Sequence, residues 1–104
     1  MADITIAQND KGFYLTFTIN DSDGSAYNLT GYTIKFKVWK ANDADNLVVN
    51  GTCEIVSAVA GTCKYLVTAT DFTEIEYYYG ELELTKTGII ESTERFAIEV
   101  KESG

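Results

Sequence analysis

Residues 13–38 alternate between apolar and polar side chains over two stretches that are separated by a turn-forming segment. In a β-strand, successive side chains point to opposite faces, so each stretch is expected to have one buried face and one wetted face. The segment between them contains Asp23 and Gly24, which tolerate the positive φ values of tight turns. The pattern therefore predicts two strands joined by a turn. The buried positions are Phe13, Leu15, Phe17 and Ile19 in the first strand, and Tyr32, Ile34, Phe36 and Val38 in the second.

Similar patterns recur along the rest of the chain, with one short segment, residues 70–76, that favours a helical turn. Many short strands separated by turns, with almost no helix, are typical of a β-sandwich or a barrel. The 104 residues, 45% of them hydrophobic, suit a single domain with its own core. We expect strands at residues 3–7, 13–20, 32–40, 52–59, 62–69, 77–86 and 90–100, a short edge strand at 47–50 and a polar loop at 41–46.

Charged side chains on two of these strands favour the sandwich over the barrel. Lys35 and Lys37 occupy the outward positions of one strand, and Glu81 and Glu83 occupy those of another. In immunoglobulin-like sandwiches these two strands are neighbours, so the charges would form opposite-sign cross-strand pairs. Strand 90–100 adds Arg95 to the same face, among acidic residues. We therefore predict an all-β fold, an immunoglobulin-like antiparallel β-sandwich of seven to nine strands.

The composition argues against several classes of function. A net charge of −8, from 16 acidic and 8 basic residues, is unsuited to binding nucleic acid, which needs a concentrated basic surface. Without histidine, the chain lacks the commonest general base and the commonest zinc ligand. Its carboxylate pairs suit a solvated strand face better than the facing acids of a glycosidase. We expect no catalytic site and no cofactor.

The acidic turn at residues 21–24 superficially resembles a calcium loop. The EF-hand pattern fails, because Ile19 would occupy the first ligand position and Thr30 the last, where a bidentate glutamate is required. A hairpin turn explains the same residues fully. We therefore predict no metal site at this turn.

Cys53 and Cys63 are the two thiols of the chain and lie on consecutive predicted strands. A tight turn near Gly61 would place Cys53 several residues further from the turn than Cys63. That offset separates the α-carbons by more than the roughly 7 Å that a disulfide tolerates. We expect two small buried side chains rather than a bridge.

Neither a membrane segment nor a secretory leader is expected. The longest uncharged apolar run, around residues 56–60, is too short to span a bilayer. The first residues lead directly into a strand pattern, without the basic start and apolar centre of a signal peptide. The expectation is synthesis in a cytoplasm, with export only as part of a larger particle.

Four aromatic residues, at positions 39 and 77–79, stand out, and three of them are candidates for contact with a partner. Tyr78 is expected to point inward as the corner tyrosine of such sandwiches. Trp39, Tyr77 and Tyr79 would then share the outer face of one sheet. Exposed amphipathic rings are typical anchors of a protein contact or a sugar platform, although a loop could equally cover them. The charged side chains named above would surround these anchors and set the orientation of a partner.

The order of turn and core motifs resembles a known family. The motifs are a D-x-D-G turn at 21–24, Leu-Thr-Gly at 29–31, G-x-x-x-Y-x-V at 61–67 and Y-Y-G-E-L at 78–82. Over about residues 10–100 the chain is similar to the N-terminal domain of phage baseplate upper proteins and related immunoglobulin-like phage tail proteins. It departs from the family in having Phe13 after Gly12, where the family usually has an acidic residue.

The resemblance implies a non-enzymatic structural or adaptor domain of a phage or prophage tail. Such a domain would reside in the virion after synthesis in the bacterial cytoplasm. Its partners would be other tail or baseplate proteins, or copies of itself, and neither nucleic acid nor a membrane. The alternative is a carbohydrate-binding module that uses the same aromatic residues to bind cell-surface sugars.

Overall fold

The computed structural model describes residues 3–21, 23–68, 70–93 and 95–102. These residues contain no helix and form nine strands, which confirms the all-β class. The strands are β1 (Ile4–Ala7), β2 (Tyr14–Thr18), β3 (Thr33–Lys40), β4 (Asp43–Thr52), β5 (Glu54–Ser57), β6 (Thr62–Leu66), β7 (Glu76–Lys86), β8 (Ile89–Ser92) and β9 (Phe96–Lys101). Within the same ranges, no helix is long and apolar enough to cross a membrane.

The strands form two sheets that pack face to face as a β-sandwich, as predicted. Within the described ranges, the larger sheet has the order β1-β9-β7-β3-β4, with β8 paired to one end of β7. The smaller sheet has the order β2-β6-β5. Neighbouring strands are antiparallel except β1 and β9, which run parallel from the pair Ile4–Ile98 onward. The architecture therefore departs from a purely antiparallel sandwich at one edge.

Phe36 of β3 lies at the centre of the core, between the two sheets. Its ring centroid is 4.8 Å from Tyr65 and 5.4 Å from Phe17, both in the smaller sheet. It also stacks on Phe96 of β9, with an interplanar angle of 7°. Complete burial of a side chain of this size stabilises a fold by about 1.5–3 kcal/mol. Ile34 and Val38 of β3 are also buried. The alternate side chains of β3 therefore pack between the two sheets, as predicted.

β3 pairs with β7 along its whole length, from Thr33–Thr85 to Lys40–Tyr78. This adjacency was expected for an immunoglobulin-like sandwich, in which the opposite charges on the two strands would pair. The pairing aligns the pleats of both strands, so their outward side chains form one continuous face.

Residues 41–46 were predicted to form a polar loop, and this prediction was wrong. β4 begins at Asp43, directly after a turn at Ala41 and Asn42, and continues to Thr52. It contains the predicted edge strand at 47–50 and lies at the edge of the larger sheet. Polar residues are tolerated there because both faces of this end of the strand are exposed.

The single strand predicted at 52–59 is divided between the two sheets. Thr52 still pairs with Lys35 in the larger sheet, whereas Glu54 pairs with Lys64 in the smaller sheet. Between them the Cys53 N–H donates to the Ile34 carbonyl oxygen at 2.8 Å, so the chain crosses between the sheets without losing a backbone hydrogen bond.

The helical turn predicted at residues 70–76 is absent, since the described residues there form turns before β7 begins at Glu76. The Asp71 carboxylate accepts hydrogen bonds from the Thr68 N–H at 2.9 Å and from the Tyr65 hydroxyl at 2.6 Å. An aspartate can bind nearby backbone groups in this way instead of capping a helix. The buried Phe72 then packs edge-on against Tyr78.

The strand predicted at 90–100 is broken into β8 and β9. Glu83 pairs with Ser92, and Gly80 pairs with Phe96. Between these two pairs the chain advances by four residues on one side and by three residues along β7. β7 therefore changes its partner from β8 to β9 along its length. Thr93 bridges the break, because its Oγ1 accepts from the Leu82 N–H at 3.0 Å and its own N–H donates to the Leu82 carbonyl oxygen at 2.9 Å.

Both cysteines are buried free thiols, as predicted. Cys63 pairs across the ladder with Ile55, two positions along from Cys53, so the two thiols are offset. A hydrogen bond between the thiols and burial together raise the pKa of Cys53 above its usual value. Cys53 therefore stays protonated, and both buried side chains act as small apolar packing.

Residue 22 lies outside the described residues, but the other three residues of the segment at 21–24 form the predicted turn, with the Gly24 N–H donating to the Asp21 carbonyl oxygen at 3.0 Å. The Asp21 side chain accepts from the Asp23 N–H, and the Asp23 side chain accepts from the Ser25 N–H at 2.9 Å. These hydrogen bonds within the turn account for both carboxylates.

Candidate functional site

The seven residues predicted to make contacts all lie on the outer face of the larger sheet. Along β3 and β7 the alternate side chains are buried, which leaves the predicted positions pointing to solvent. The register places three pairs directly opposite one another across the two strands. These pairs are Lys35–Glu83, Lys37–Glu81 and Trp39–Tyr79, with Tyr77 following on β7.

The charged half of this face contains an ion pair that runs diagonally between the strands. Lys37 Nζ lies 2.9 Å from Glu83 Oε2, and both side chains are about three-quarters buried, with 23% and 27% exposed. In the strand register Lys37 lies directly opposite Glu81, but it forms the ion pair with Glu83. A partly buried pair of this kind holds two long side chains in one orientation and contributes about 0.2–1 kcal/mol.

The aromatic half is built around Trp39 and Tyr79. Their ring centroids are 6.5 Å apart and the rings are tilted by 43°, a separation at which aromatic rings attract one another. The Arg95 guanidinium lies 4.6 Å from the centre of the Tyr79 ring, which is a cation–π distance. Both rings are only partly buried, so they remain available for contact.

Leu47 joins this cluster, which sequence reasoning did not anticipate. Val49 of β4 is buried, so strict alternation would also turn Leu47 inward. However, the register shifts so that Val38 pairs with Val49 while Trp39 pairs with Leu47. The extra residue, Val48, is a bulge that reverses the parity and exposes 45% of Leu47 beside Trp39. No feature of the sequence marks this bulge.

We define the outer-face patch as Trp39, Leu47, Tyr79 and Arg95. Three of them, Trp39, Leu47 and Arg95, line a shallow depression of about 590 Å³ together with Lys37, Ala44 and Glu81. Arg95 was expected on this face from the alternation of its strand, but it was not assigned to the site. The patch therefore combines apolar surface with a border of both charges.

Tyr77 lies on the same face but at the end of the sheet. It is 59% exposed, pairs with Glu99 of β9, and accepts a hydrogen bond from the Ala41 N–H through its carbonyl oxygen. The register thus brings Trp39 and Tyr79 together and leaves Tyr77 one step beyond them. Nearby, a hydrogen bond with Glu74 raises the pKa of Lys40, so this lysine stays charged.

Tyr78 points inward, as predicted for the corner position. Only 3% of it is exposed, and its hydroxyl donates to the Glu74 carbonyl oxygen at 3.1 Å. Burial raises the pKa of this hydroxyl, which keeps it a neutral donor. Tyr78 therefore supports the face from below and is unavailable to a partner.

The geometry of the patch suits contact with a protein surface more than stacking on sugars. A sugar platform would need exposed rings that lie in one plane, whereas the rings of Trp39 and Tyr79 are tilted by 43°. One face of Tyr79 is also occupied by Arg95. The carbohydrate-binding alternative is therefore not supported.

Within the described ranges, no group of three or more His, Cys, Asp or Glu residues could hold a metal ion. The lysines and glutamates of β3 and β7 on the outer face lie opposite one another across the two strands, and Lys37 forms an ion pair with Glu83. The outer face therefore presents apolar, cationic and anionic side chains side by side.

Comparison with known proteins gives matches to a family and to solved structures. The solved N-terminal domain of phage TP901-1 ORF48 is similar in fold, with a TM-score of 0.74 and 16% sequence identity. That alignment covers 95% of this chain and 84% of the other. No curated protein matches this chain in sequence. The family model of the BppU N-terminal domain matches residues 1–104, and the chain therefore belongs to this family of structural phage baseplate domains.

Proposed function

We propose that this domain is a non-enzymatic adaptor of the phage or prophage tail, which joins baseplate proteins through the outer-face patch. The observation that carries the proposal is the adjacent cluster of partly buried Trp39 and Tyr79 with exposed Leu47, and with Arg95 over one ring. Tryptophan, tyrosine and arginine are the residues most enriched among the energetic hot spots of protein interfaces. The baseplate family supplies the structural context.

The surroundings of the patch match the anatomy of a protein interface. The centre is aromatic and aliphatic, and the border carries Lys35, Lys37, Glu81 and Glu83. An apolar centre excludes water, whereas bordering charges of both signs select the orientation of the partner. Tyr77, exposed at the end of the face, would extend the contact along β7.

The partners are other tail or baseplate proteins, or further copies of this chain. A net charge of −8 disfavours nucleic acid as the surface bound. The domain would be made in the bacterial cytoplasm and built into the virion tail. Family membership supports the virion location.

The test removes the two central rings. The chain would be co-expressed with the other baseplate proteins of its phage, and assembly would be measured by size-exclusion chromatography and calorimetry. We expect Trp39→Ala and Tyr79→Ala each to weaken binding by about 30-fold, because truncating a buried hot-spot ring costs about 2 kcal/mol.

A matched control is available on the other sheet. Tyr14 is an exposed tyrosine, 46% accessible, with the Lys64 ammonium 4.1 Å from its ring centre. Tyr14→Ala thus removes the same kind of side chain and a similar cation–π contact away from the patch, and should leave binding at the outer-face patch unchanged. If the Trp39 and Tyr79 variants fold normally and still assemble with unaltered affinity, the outer-face patch is not the interface.

A further inference from the structure

β2 has a free edge, because within the described ranges it pairs with β6 on one side and with no strand on the other. The Val67 N–H donates to the Phe13 carbonyl oxygen, and the Ile19 N–H donates to the Gly61 carbonyl oxygen. In an antiparallel ladder the backbone groups of alternate residues point to opposite sides. The odd-numbered residues of β2 therefore bind β6, and the N–H and C=O groups of Tyr14, Thr16 and Thr18 point away from the sheet.

An apolar groove runs beside the second half of this edge. It consists of two adjoining depressions, of about 360 and 440 Å³, which share Ile19, Asn20, Asp21 and Thr93. Its floor lies between the sheets and includes Phe17 of β2 and Phe96 of β9, both only partly buried. Leu82 and Leu84 of β7 complete the apolar lining. A strand added to β2 would therefore set alternate side chains over this groove.

Two other sheet edges show the features that proteins use to prevent strand addition, and β2 does not. β4 has two register shifts and carries acidic residues at its first and third positions. β5 begins at Glu54 and has a register irregularity between Ile55 and Ser57. In contrast, β2 pairs in regular register and contains no charged residue or proline. Bulges and charges block edge-to-edge pairing, so β2 is the more open of these edges.

The charges around the groove indicate what kind of segment would fit. Asp21 and Glu91 lie among its lining residues, and no lysine or arginine does. Glu91 is held in place by a hydrogen bond from the Tyr27 hydroxyl at 3.1 Å. Acidic groups beside an apolar groove favour a segment that carries a basic residue.

We propose that the free edge of β2 and its groove form a second interface, which binds an extended segment of a partner polypeptide. The segment adds a strand to the smaller sheet, inserts alternate apolar side chains into the groove and places a basic residue near Asp21 and Glu91. Main-chain hydrogen bonds supply affinity and the groove supplies specificity, as in other cases of strand addition. The free edge belongs to the opposite sheet from the outer-face patch, and none of the groove residues belongs to the patch, so this interface does not depend on it.

The test follows amide hydrogen exchange of the intact domain by NMR, with a synthetic probe. The probe is the capped peptide Lys-Val-Thr-Val-Thr-Val-Thr. In the free domain, the amides of Thr16 and Thr18 should exchange quickly and those of Leu15 and Phe17 slowly. On binding, exchange at Thr16 and Thr18 should slow by about tenfold or more, because these amides become hydrogen-bonded.

Three controls separate strand addition from other binding. The same peptide with N-methylated amides on its pairing side should give no protection. The same peptide with glutamate in place of lysine should bind several-fold more weakly, and Glu91→Gln should reduce that difference. Thr16→Pro should abolish protection, because proline removes one outward N–H and is tolerated at a free edge, whereas Thr16→Ala should retain it.

Two results would overturn the proposal. One is the absence of protection at Thr16 and Thr18 with the probe at about 1 mM, the weakest affinity of interest. The other is a self-associating domain that Thr16→Pro converts to a monomer, which would make a second copy the occupant. Because the outer-face variants leave β2 intact, failure here is distinguishable from failure of the adaptor proposal.

Discussion

Substituting Gly61 by alanine tests how closely the turn before β6 packs against the end of β2. Gly61 has a φ of +72°, and its carbonyl oxygen accepts from the Ile19 N–H at 2.8 Å. A Cβ placed on Gly61 would lie 2.4 Å from the Ile19 carbonyl oxygen and 2.9 Å from that of Tyr27. Both obstacles are backbone atoms, which cannot rotate aside as a side-chain end can. The substitution therefore combines an unfavourable backbone conformation with a steric clash.

The two costs can be separated with Gly31. Its φ is +81°, but a Cβ there would meet no atom within 4 Å. Gly31→Ala should cost only the left-handed conformation of a residue with a Cβ, about 1–2 kcal/mol. Gly61→Ala adds the displacement of packed backbone, about 1–3 kcal/mol by comparison with overpacked sites, for a total of about 2–5 kcal/mol. A small domain has about 5–15 kcal/mol of stability, so both variants should still fold.

Urea unfolding followed by tryptophan fluorescence and circular dichroism measures both variants. With a slope of about 2 kcal/mol per molar urea, the midpoint should fall by about 0.5–1 M for Gly31→Ala and by about 1–2.5 M for Gly61→Ala. Equal shifts in the two midpoints would contradict the reasoning. They would show that the turn relaxes and that close packing against β2 carries no cost.

Two further predictions concern a buried tyrosine and the charged half of the outer face. Burial and a hydrogen bond to a nearby carboxylate raise the pKa of Tyr65 above its usual 10.0, so the folded state retains a proton that the unfolded state loses. The stability that this raised pKa adds to the folded state is present below about pH 10. It is lost as the pH rises further, by up to about 1.4 kcal/mol per pH unit. Tyr65→Phe should flatten the alkaline fall of the unfolding free energy; a profile parallel to that of the unsubstituted protein would refute the assignment. For the ion pair, a double-mutant cycle between Lys37 and Glu83 should give a coupling of about 0.5 kcal/mol that fades in 1 M salt. The same cycle with Glu81 should give less, and a larger coupling there would mean that the directly opposite pair dominates in solution.

The sequence predicted the sheet faces well because side-chain parity is a local property. The alternation of Ile34, Phe36 and Val38 required one buried face of β3, and the charges of Lys37 and Glu83 agreed with the strand pairing expected of an immunoglobulin-like sandwich. The same parity placed Trp39 and Tyr79 on the outer face and Tyr78 in the core. The two-residue period of a β-strand was enough to assign each of these side chains to the buried or the outer face.

Irregular positions could not be predicted in the same way, because they depend on partners distant in sequence. Leu47 reaches the patch through a bulge at Val48, which exists only because β4 pairs with β3. The strand at 90–100 breaks because Thr93 binds the backbone of Leu82 on β7. Neither event has a local sequence signal.

The sequence by itself determined the all-β class, the inward and outward faces of the long strands, the turn at 21–24 and the resemblance to baseplate domains. These properties follow from side-chain periodicity and turn chemistry, which act over a few neighbouring residues. Tertiary structure alone decided that Leu47 joins the outer-face patch and that β2 keeps a free edge beside a groove. Register and strand order arise from long-range pairing, in which an insertion of one residue reverses a face.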